Sequence, residues 1–177
     1  MATWATRGLR GSTLEELINR TNEQYAQQGL ALINKIPTPI TPMRIDKDNR
    51  QITLAYFEEK STVDYLGVVQ GIPVCFDAKE CCHTTFPLAN IHAHQLAYMK
   101  AFETQQGVAF LLLYFQKEDV FYYMTLSELV YFWERRENGG RKSFRFDELN
   151  TSFILGTQSG ILVPYLQGIQ KDLELRD

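Results

Sequence analysis

Two aspartates and a lysine in this sequence could carry out chemistry together if a single turn brings them into contact. Residues 62–69 and 72–79 each resemble a β-strand, and Gln70-Gly71 between them is a turn signal. In an antiparallel hairpin the residue numbers of opposed positions have a constant sum, so the turn determines every pair. This register places Asp64 opposite Asp77, and it places Thr62 opposite Lys79.

The two faces of this predicted hairpin differ in character. Side chains two positions apart point to the same side of a strand, so all four of these polar groups share one face. The opposite face carries apolar side chains that are expected to pack into a core: Val63, Tyr65, Val69, Val74, Phe76 and Ala78. We therefore predict a polar site on a hairpin whose other side is buried.

The chemistry of such a face follows from the repulsion between its two acids. Two carboxylates about 5 Å apart repel each other by about 3 kcal/mol at an effective dielectric constant of about 20. A divalent cation such as Mg²⁺ or Mn²⁺ relieves this repulsion, because carboxylate, hydroxyl and water oxygens are its preferred ligands. With Lys79 beside it to stabilise a charged phosphoryl oxygen, the set favours metal-assisted phosphodiester hydrolysis. The alternative is a pair of ordinary strand acids neutralised by Lys79.

Composition places the chain among ordinary globular domains. It has 177 residues, of which 45% are hydrophobic and 22% charged, and we predict one domain over residues 1–177. Its longest apolar run, Val108 to Phe115, is too short to span a membrane, and residues 1–13 do not resemble a signal peptide. Three cysteines without a CxxC pair favour the cytoplasm. The net charge of −3 argues only mildly against nucleic acid, since a nucleic-acid enzyme needs only one positive face.

The remaining elements predict an α/β fold around one mixed sheet. Ser12-Thr13-Leu14-Glu15 matches a capping box that opens a helix, and Gly29 is a plausible terminator. Further strands are expected at residues 30–34, 51–57, 108–115 and 120–124, and further helices at 89–105, 127–137 and 163–175, the last with Pro164 in its first turn.

Residues 35–58 form the least ordinary stretch of the sequence. Pro37, Pro39 and Pro42 fall close together, and the cations Arg44, Lys47 and Arg50 follow them. Because proline fixes φ and lacks an N–H, we expect this segment to be an extended, stiff arm that projects from the domain. Residues 1–11 are predicted to be a flexible basic lead-in.

Three other groups of side chains have both a functional and a structural interpretation. Residues 134–145 carry five cations and two acids, so the segment is interpreted either as a phosphate-binding patch or as an ordinary solvated loop. A zinc site at Cys81, Cys82 and the nearby histidines is disfavoured, because adjacent cysteines do not easily bind one tetrahedral ion. The aromatic residues of 122–133 are assigned to the core or to a dimer interface.

The sequence also resembles a known family. Asp64-x12-Asp77-Ala78-Lys79 matches the D-x(n)-(D/E)-x-K signature of restriction-endonuclease-like nucleases. Around it, the strings STLEELINRTN, KIPTP, AYFEEKSTVDYLGV, FDAKE, FPLANIHAHQ and YFWERRENGGRKSFRFDEL occur in the order seen in RecU-type Holliday-junction resolvases. The resemblance covers nearly the whole chain. It implies a restriction-endonuclease-like mixed sheet flanked by helices, with a projecting proline-rich stalk.

The resemblance also implies an activity and its partners. The implied protein is a homodimeric endonuclease that depends on Mg²⁺, with Mn²⁺ as a possible substitute. It resolves four-way DNA junctions by paired symmetric nicks in recombination and repair. A recombinase or the branch-migration machinery is a further possible partner, and no membrane is involved. Two alternatives stay open: a non-catalytic junction-binding or recombinase-modulating protein with this fold, and a nuclease that cuts linear duplexes.

Site residues carry over from the resemblance position by position. Thr62, Asp64, Asp77 and Gln95 are the expected metal ligands, Lys79 is the expected transition-state stabiliser, and Glu15 is an expected further acid from the first helix. The expected DNA-binding residues are Arg7, Lys35, Arg44, Lys47, Arg50, Arg141 and Lys142. The sequence departs from one member of the family at Asp77, where that member has Glu, and it has one residue fewer between Asp77 and Gln95.

Overall fold

A computed structural model describes residues 13–37, 39–57, 62–156, 158 and 160–176 of the chain. The predicted basic lead-in at residues 1–11 lies outside this part. The helices and strands among the described residues are α1 (Leu14–Gln27), β1 (Ala31–Lys35), β2 (Ile40–Asp46), β3 (Gln51–Phe57), β4 (Tyr65–Val69), β5 (Ile72–Cys81), β6 (Thr85–Pro87), α2 (Ala93–Thr104), β7 (Val108–Phe115), β8 (Val120–Thr125), α3 (Leu126–Glu137), β9 (Ser143–Arg145) and α4 (Leu166–Glu174).

A five-stranded mixed sheet forms the centre of the fold, with the strand order β1-β4-β5-β7-β8. Strands β5 and β7 are parallel, and the other neighbouring pairs are antiparallel. A parallel pair needs a crossover connection, which here contains β6 and α2. Helix α1 packs on β1 and β5, and α2 packs on β5 and β7. The predicted α/β class, a mixed sheet flanked by helices, is confirmed.

A stack of aromatic rings crosses four strands of this sheet on one face. The ring of Tyr65 on β4 lies 4.7 Å from that of Phe76 on β5, and Phe76 lies 4.7 Å from Phe110 on β7. Phe110 in turn lies 4.4 Å from Tyr123 on β8. All four side chains are fully buried. The stack stabilises β4 against β5 in the register that the turn between them sets.

Helix α1 begins one residue later than predicted. Its N-cap is Thr13, whose hydroxyl accepts the N–H of Glu16, and the Glu16 carboxylate accepts the N–H of Thr13. The sequence holds two overlapping capping boxes, and the predicted one, from Ser12 to Glu15, is the wrong one. With this capping box, the backbone N–H of Leu14 donates to the carboxylate of Glu80 on β5, a residue distant in sequence, at 2.6 Å.

Strands β2 and β3 form a separate two-stranded sheet within the proline-rich segment. The prolines of this segment predict extended chain at β2 rather than a paired strand, because proline cannot donate to a ladder. Pro42 is accommodated because the register shifts on both sides of Arg44. Large apolar side chains are exposed on this hairpin: Ile40, Met43, Ile45, Ile52, Leu54 and Tyr56. Its projection from the domain stays a prediction.

Other helix boundaries differ from the predicted ones where tertiary contacts outweigh the local sequence pattern. The helix predicted at residues 89–105 begins only at Ala93, after a short turn at Leu88–Asn90 and the extended residue His92. The last helix begins at Leu166 rather than at Val163, whose N–H donates to Thr21 on α1. The small sheet of β6 and β9 was not predicted. No helix in the described residues is long and apolar enough to cross a membrane.

Candidate active site

The hairpin of β4 and β5 has the register expected from its turn. Tyr65 lies opposite Phe76, the pair next to the acids, so the predicted register of the hairpin is confirmed as far as this pair. Asp64 itself precedes β4, yet two hydrogen bonds hold it in place. Its Oδ2 accepts the N–H of Ala78 at 3.1 Å, and its backbone oxygen accepts the N–H of Ile36 at 2.7 Å. The structure therefore brings Asp64 to the segment that carries Asp77.

Lys79 lies between the two aspartates. Its Nζ is 2.5 Å from Oδ2 of Asp77 and 3.8 Å from Oδ2 of Asp64. The Asp77 side chain is completely buried, whereas those of Asp64 and Lys79 are about a quarter exposed, at 25% and 23%. The three charged groups thus converge at the surface end of a buried carboxylate, as the hairpin register predicts.

Gln95 supplies the second contact to Asp77. Helix α2 buries this side chain, and its Nε2 donates to Oδ1 of Asp77 at 3.0 Å. The other end of the amide is also engaged, because its Oε1 accepts the N–H of His92 at 3.2 Å. Gln95 thus lies beside Asp77, as the resemblance implies, and in this structure its oxygen faces the backbone of α2.

The environment of Asp77 disfavours its negative charge. The net effect of its surroundings raises the pKa of the Asp77 carboxyl to about 7: burial contributes most, the neighbouring Asp64 carboxylate adds to the rise, and the charge of Lys79 opposes it. A carboxylate in this situation is stabilised by a nearby cation. Apart from Lys79, Oδ2 of Asp77 has no polar partner among the described residues. This buried oxygen, facing a second carboxylate, fits the donor set of a hard divalent ion.

The described residues supply two carboxylates rather than a full ligand shell. They contain no group of three or more His, Cys, Asp or Glu side chains that could hold a metal. A hard cation bound here would therefore complete its shell with hydroxyl, amide, water or phosphate oxygens. Of the other expected ligands, Thr62 is exposed just ahead of β4.

Glu15 approaches the same hairpin from α1, but its carboxylate is already paired. It forms an ion pair with Lys35 on β1. The Tyr65 hydroxyl lies 3.1 Å from Oδ1 of Asn19 and 3.4 Å from the backbone oxygen of Glu15. Burial raises the pKa of Tyr65, and the negative charges of Glu15 and Asp64 add to the rise.

Glu80 is a residue of this region that the sequence reasoning missed. It follows Lys79 and has two partners: Oε1 accepts the N–H of Leu14 on α1, and Oε2 accepts Nε2 of Gln116, each at 2.6 Å. It therefore ties the first turn of α1 to the strand that carries the site. The only sequence signal for this structural role is its position directly after Lys79, since both of its hydrogen-bond partners are distant in sequence.

The predicted DNA-binding residues fall into separate groups. Arg44, Lys47 and Arg50 are exposed around the turn of the β2–β3 hairpin. Lys35 is engaged with Glu15, and Arg7 lies outside the described residues.

The basic cluster of residues 134–145 is partly neutralised by acids that follow it. Glu148 accepts from Arg135 at 2.6 Å and from Arg141 at 3.3 Å, and Asp147 pairs with Arg145 at 2.9 Å. Counting these two acids as well would have corrected the charge estimate. Lys142 is exposed, and no acid in the described part of the chain forms an ion pair with it.

Comparison with known proteins places the chain beside one family. A family model described as RecU, Recombination protein U, matches residues 9–171. A protein of Pediococcus pentosaceus named Holliday junction resolvase RecU is 40% identical over 172 residues, which cover 94% of this chain and 86% of that relative. Relatives of the same name from Geobacillus kaustophilus and Bacillus pumilus are 42% and 43% identical. They cover 86% and 79% of this chain, and 80% and 69% of their own lengths.

Proposed function

The chain belongs to the RecU family, and we propose that the β4–β5 hairpin is the catalytic site with which it resolves Holliday junctions. Because its relatives are named Holliday junction resolvase, the chain is a nuclease, a crossover junction endodeoxyribonuclease that acts in recombination and repair. Its substrate is accordingly four-way junction DNA. The family also implies a divalent metal requirement, and the two carboxylates at the hairpin fit such an ion.

We propose Mg²⁺ as this ion, with Mn²⁺ as a substitute. Asp64 and Asp77 would hold it, Thr62 is proposed as a further ligand, and Gln95, whose oxygen accepts the N–H of His92, is proposed to act on the ion through its hydrogen bond to Asp77. When bound, the ion supplies an activated water molecule and neutralises charge on the phosphate. The preference for Mg²⁺ is supported by the all-oxygen chemistry of these side chains.

The residues around the ion have distinct proposed tasks. Gln95 holds one oxygen of the buried Asp77 and so fixes the plane of its carboxylate. The Lys79 ammonium stabilises the negative charge that develops on a phosphoryl oxygen during attack. Glu15, engaged with Lys35 at the side of the hairpin, is proposed only as a supporting acid.

Paired symmetric nicks need two active sites, so we propose that the chain acts as a homodimer. Residues 35–58 are proposed to form the stalk that contacts the junction. Support comes from the separate β2–β3 hairpin, which carries the exposed cations Arg44, Lys47 and Arg50. Lys142, exposed on the loop before β9, is proposed to contact phosphate.

The observation that carries the proposal is the convergence of Lys79 on two carboxylates, one of them fully buried. The test measures nicking of a synthetic four-way junction in Mg²⁺, together with junction binding by gel shift. Asp77→Ala and Lys79→Ala should abolish nicking while binding persists, because the proposed junction contacts lie elsewhere. Lys100→Ala, which removes an exposed lysine of α2, is the control and should cut normally. Normal cutting by the two site variants would place the chemistry outside this hairpin.

A further inference from the structure

Both oxygens of the buried Asp77 are already engaged by the protein. Oδ1 accepts from the amide of Gln95 at 3.0 Å, and Oδ2 lies 2.5 Å from the Lys79 ammonium. Each oxygen can accept a second partner, so a cation can bind Asp77 beside the neutral amide of Gln95, but at Oδ2 it would meet the charge of Lys79. Gln95 is held at both ends, because its Oε1 accepts the N–H of His92. Lys79 is held only by charge.

The ammonium also lies where a shared cation would lie. Its Nζ is within 3.8 Å of Asp64 as well as within 2.5 Å of Asp77. Asp77 is completely buried, while Lys79 is 23% exposed, so Lys79 stands between Asp77 and solvent. Oδ2 of Asp64 is further held by the N–H of Ala78. The protein thus neutralises its two acids with its own lysine.

Two cations cannot share this position, because like charges at such distances repel strongly. We infer that Lys79 is the internal counter-ion of the site and that the divalent ion binds by displacing its ammonium. The inference rests on the proposed function of the hairpin. The flexible four-carbon stem of lysine permits the movement. Displacement frees the ammonium for a phosphate oxygen, so metal loading and the availability of Lys79 for catalysis are coupled.

This role has a consequence that a purely supporting lysine does not share. Removing the ammonium removes the competitor of the metal, so a variant that has lost cleavage should bind metal more tightly. Lys79→Met keeps the length of the side chain and deletes its charge. A lysine that merely maintained the shape of the site would, when replaced, weaken metal binding instead.

The experiment is a calorimetric titration of DNA-free protein with Mn²⁺. It is run at about pH 8.5, above the raised pKa of Asp77, so that a proton does not replace the lysine as counter-ion. Lys79→Met should bind Mn²⁺ at least about tenfold more tightly than the unsubstituted chain. Lys100→Met, which deletes an exposed charge on α2, is the matched control and should leave the affinity unchanged. If Lys79→Met does not fold, Lys79→Gln gives the same comparison.

The variant Asp77→Asn distinguishes a failure of the counter-ion role of Lys79 from a failure of the proposed metal site. Loss of Mn²⁺ binding in Asp77→Asn, together with equal or weaker binding in the lysine variant, would overturn the counter-ion role and leave the metal site intact. Undiminished binding in Asp77→Asn would instead overturn the proposed metal site itself. Tighter binding in Lys79→Met and loss in Asp77→Asn is the result that the inference requires.

Discussion

Gln95 donates its amide nitrogen to Asp77 across the interface between α2 and β5, with 3.0 Å between Nε2 and Oδ1. Both side chains are buried, at 6% and 0% exposure, so no solvent replaces this bond when it is lost. The contact joins the helix of the crossover connection to the strand that carries the site. It makes Gln95 the partner that determines how the buried carboxylate is oriented.

Replacing Gln95 should therefore impair the site without affecting junction binding. Gln95→Ala leaves Oδ1 of Asp77 without its donor, and the N–H of His92 without its acceptor. We expect nicking at limiting Mg²⁺ to fall by about tenfold or more, because a misplaced ligand typically lowers metal affinity or activity by about 10–100-fold. A Mg²⁺ titration of the nicking rate measures this. An unchanged titration curve would show that Gln95 has no part in metal binding.

Metal-free stability should depend on pH through Asp77. Its pKa in the folded state, about 7, exceeds the usual value of about 3.9. Between these two pH values the folded state therefore retains a proton that the unfolded state has lost. The contribution of the protonated group is fully present below about pH 4 and is lost as the pH rises through about 7. Asp77→Asn cannot ionise and should therefore be more stable than the unsubstituted chain at high pH.

Urea unfolding in EDTA measures this difference. At about pH 8 we expect Asp77→Asn to be about 2 kcal/mol more stable, and at about pH 5 the gain should be markedly smaller. Adding Mg²⁺ at the higher pH should stabilise the unsubstituted chain and not the variant. A stability difference that does not change with pH would argue against the raised pKa.

Lys142 and Arg141 should contribute unequally to DNA binding. Arg141 pairs with Glu148, whereas Lys142 has no ion-pair partner among the described residues. Lys142→Ala should weaken junction binding and lower the slope of affinity against salt concentration by about 1. Arg141→Ala should change both by less. Equal salt slopes for the two variants, measured by fluorescence anisotropy, would contradict this order.

Gly168 lets helix α4 approach the aromatic stack. A Cβ at this position would lie 2.3 Å from Cγ of Tyr123, whose ring is fully buried. Gly168→Ala should destabilise the fold by about 1–3 kcal/mol in chemical denaturation, because the stack has no room to yield. Gly156→Ala is the matched control, since its nearest neighbour would be 3.8 Å away, and its effect should stay below about 0.5 kcal/mol. Similar losses in both would refute the steric cause.

The sequence was most informative where local rules decide geometry. The Gln70-Gly71 turn and the alternation of side chains were enough to predict the register of β4 against β5 and the approach of Asp64 to Asp77, because an antiparallel register follows from its turn. The same rules predicted the mixed sheet. They were less accurate at helix starts, where two capping boxes overlap at Thr13 and where His92 interrupts a helical pattern.

What the amino-acid sequence determined by itself was the α/β class, the hairpin register and the identity of the charged groups that meet there. The tertiary structure alone decided the burial of Asp77, the engagement of Gln95 and Glu80, and the neutralisation of Arg141 by Glu148. The physical reason is range. Turns and pleats act between neighbours in sequence, whereas desolvation and ion pairing depend on which distant segments the core packs together.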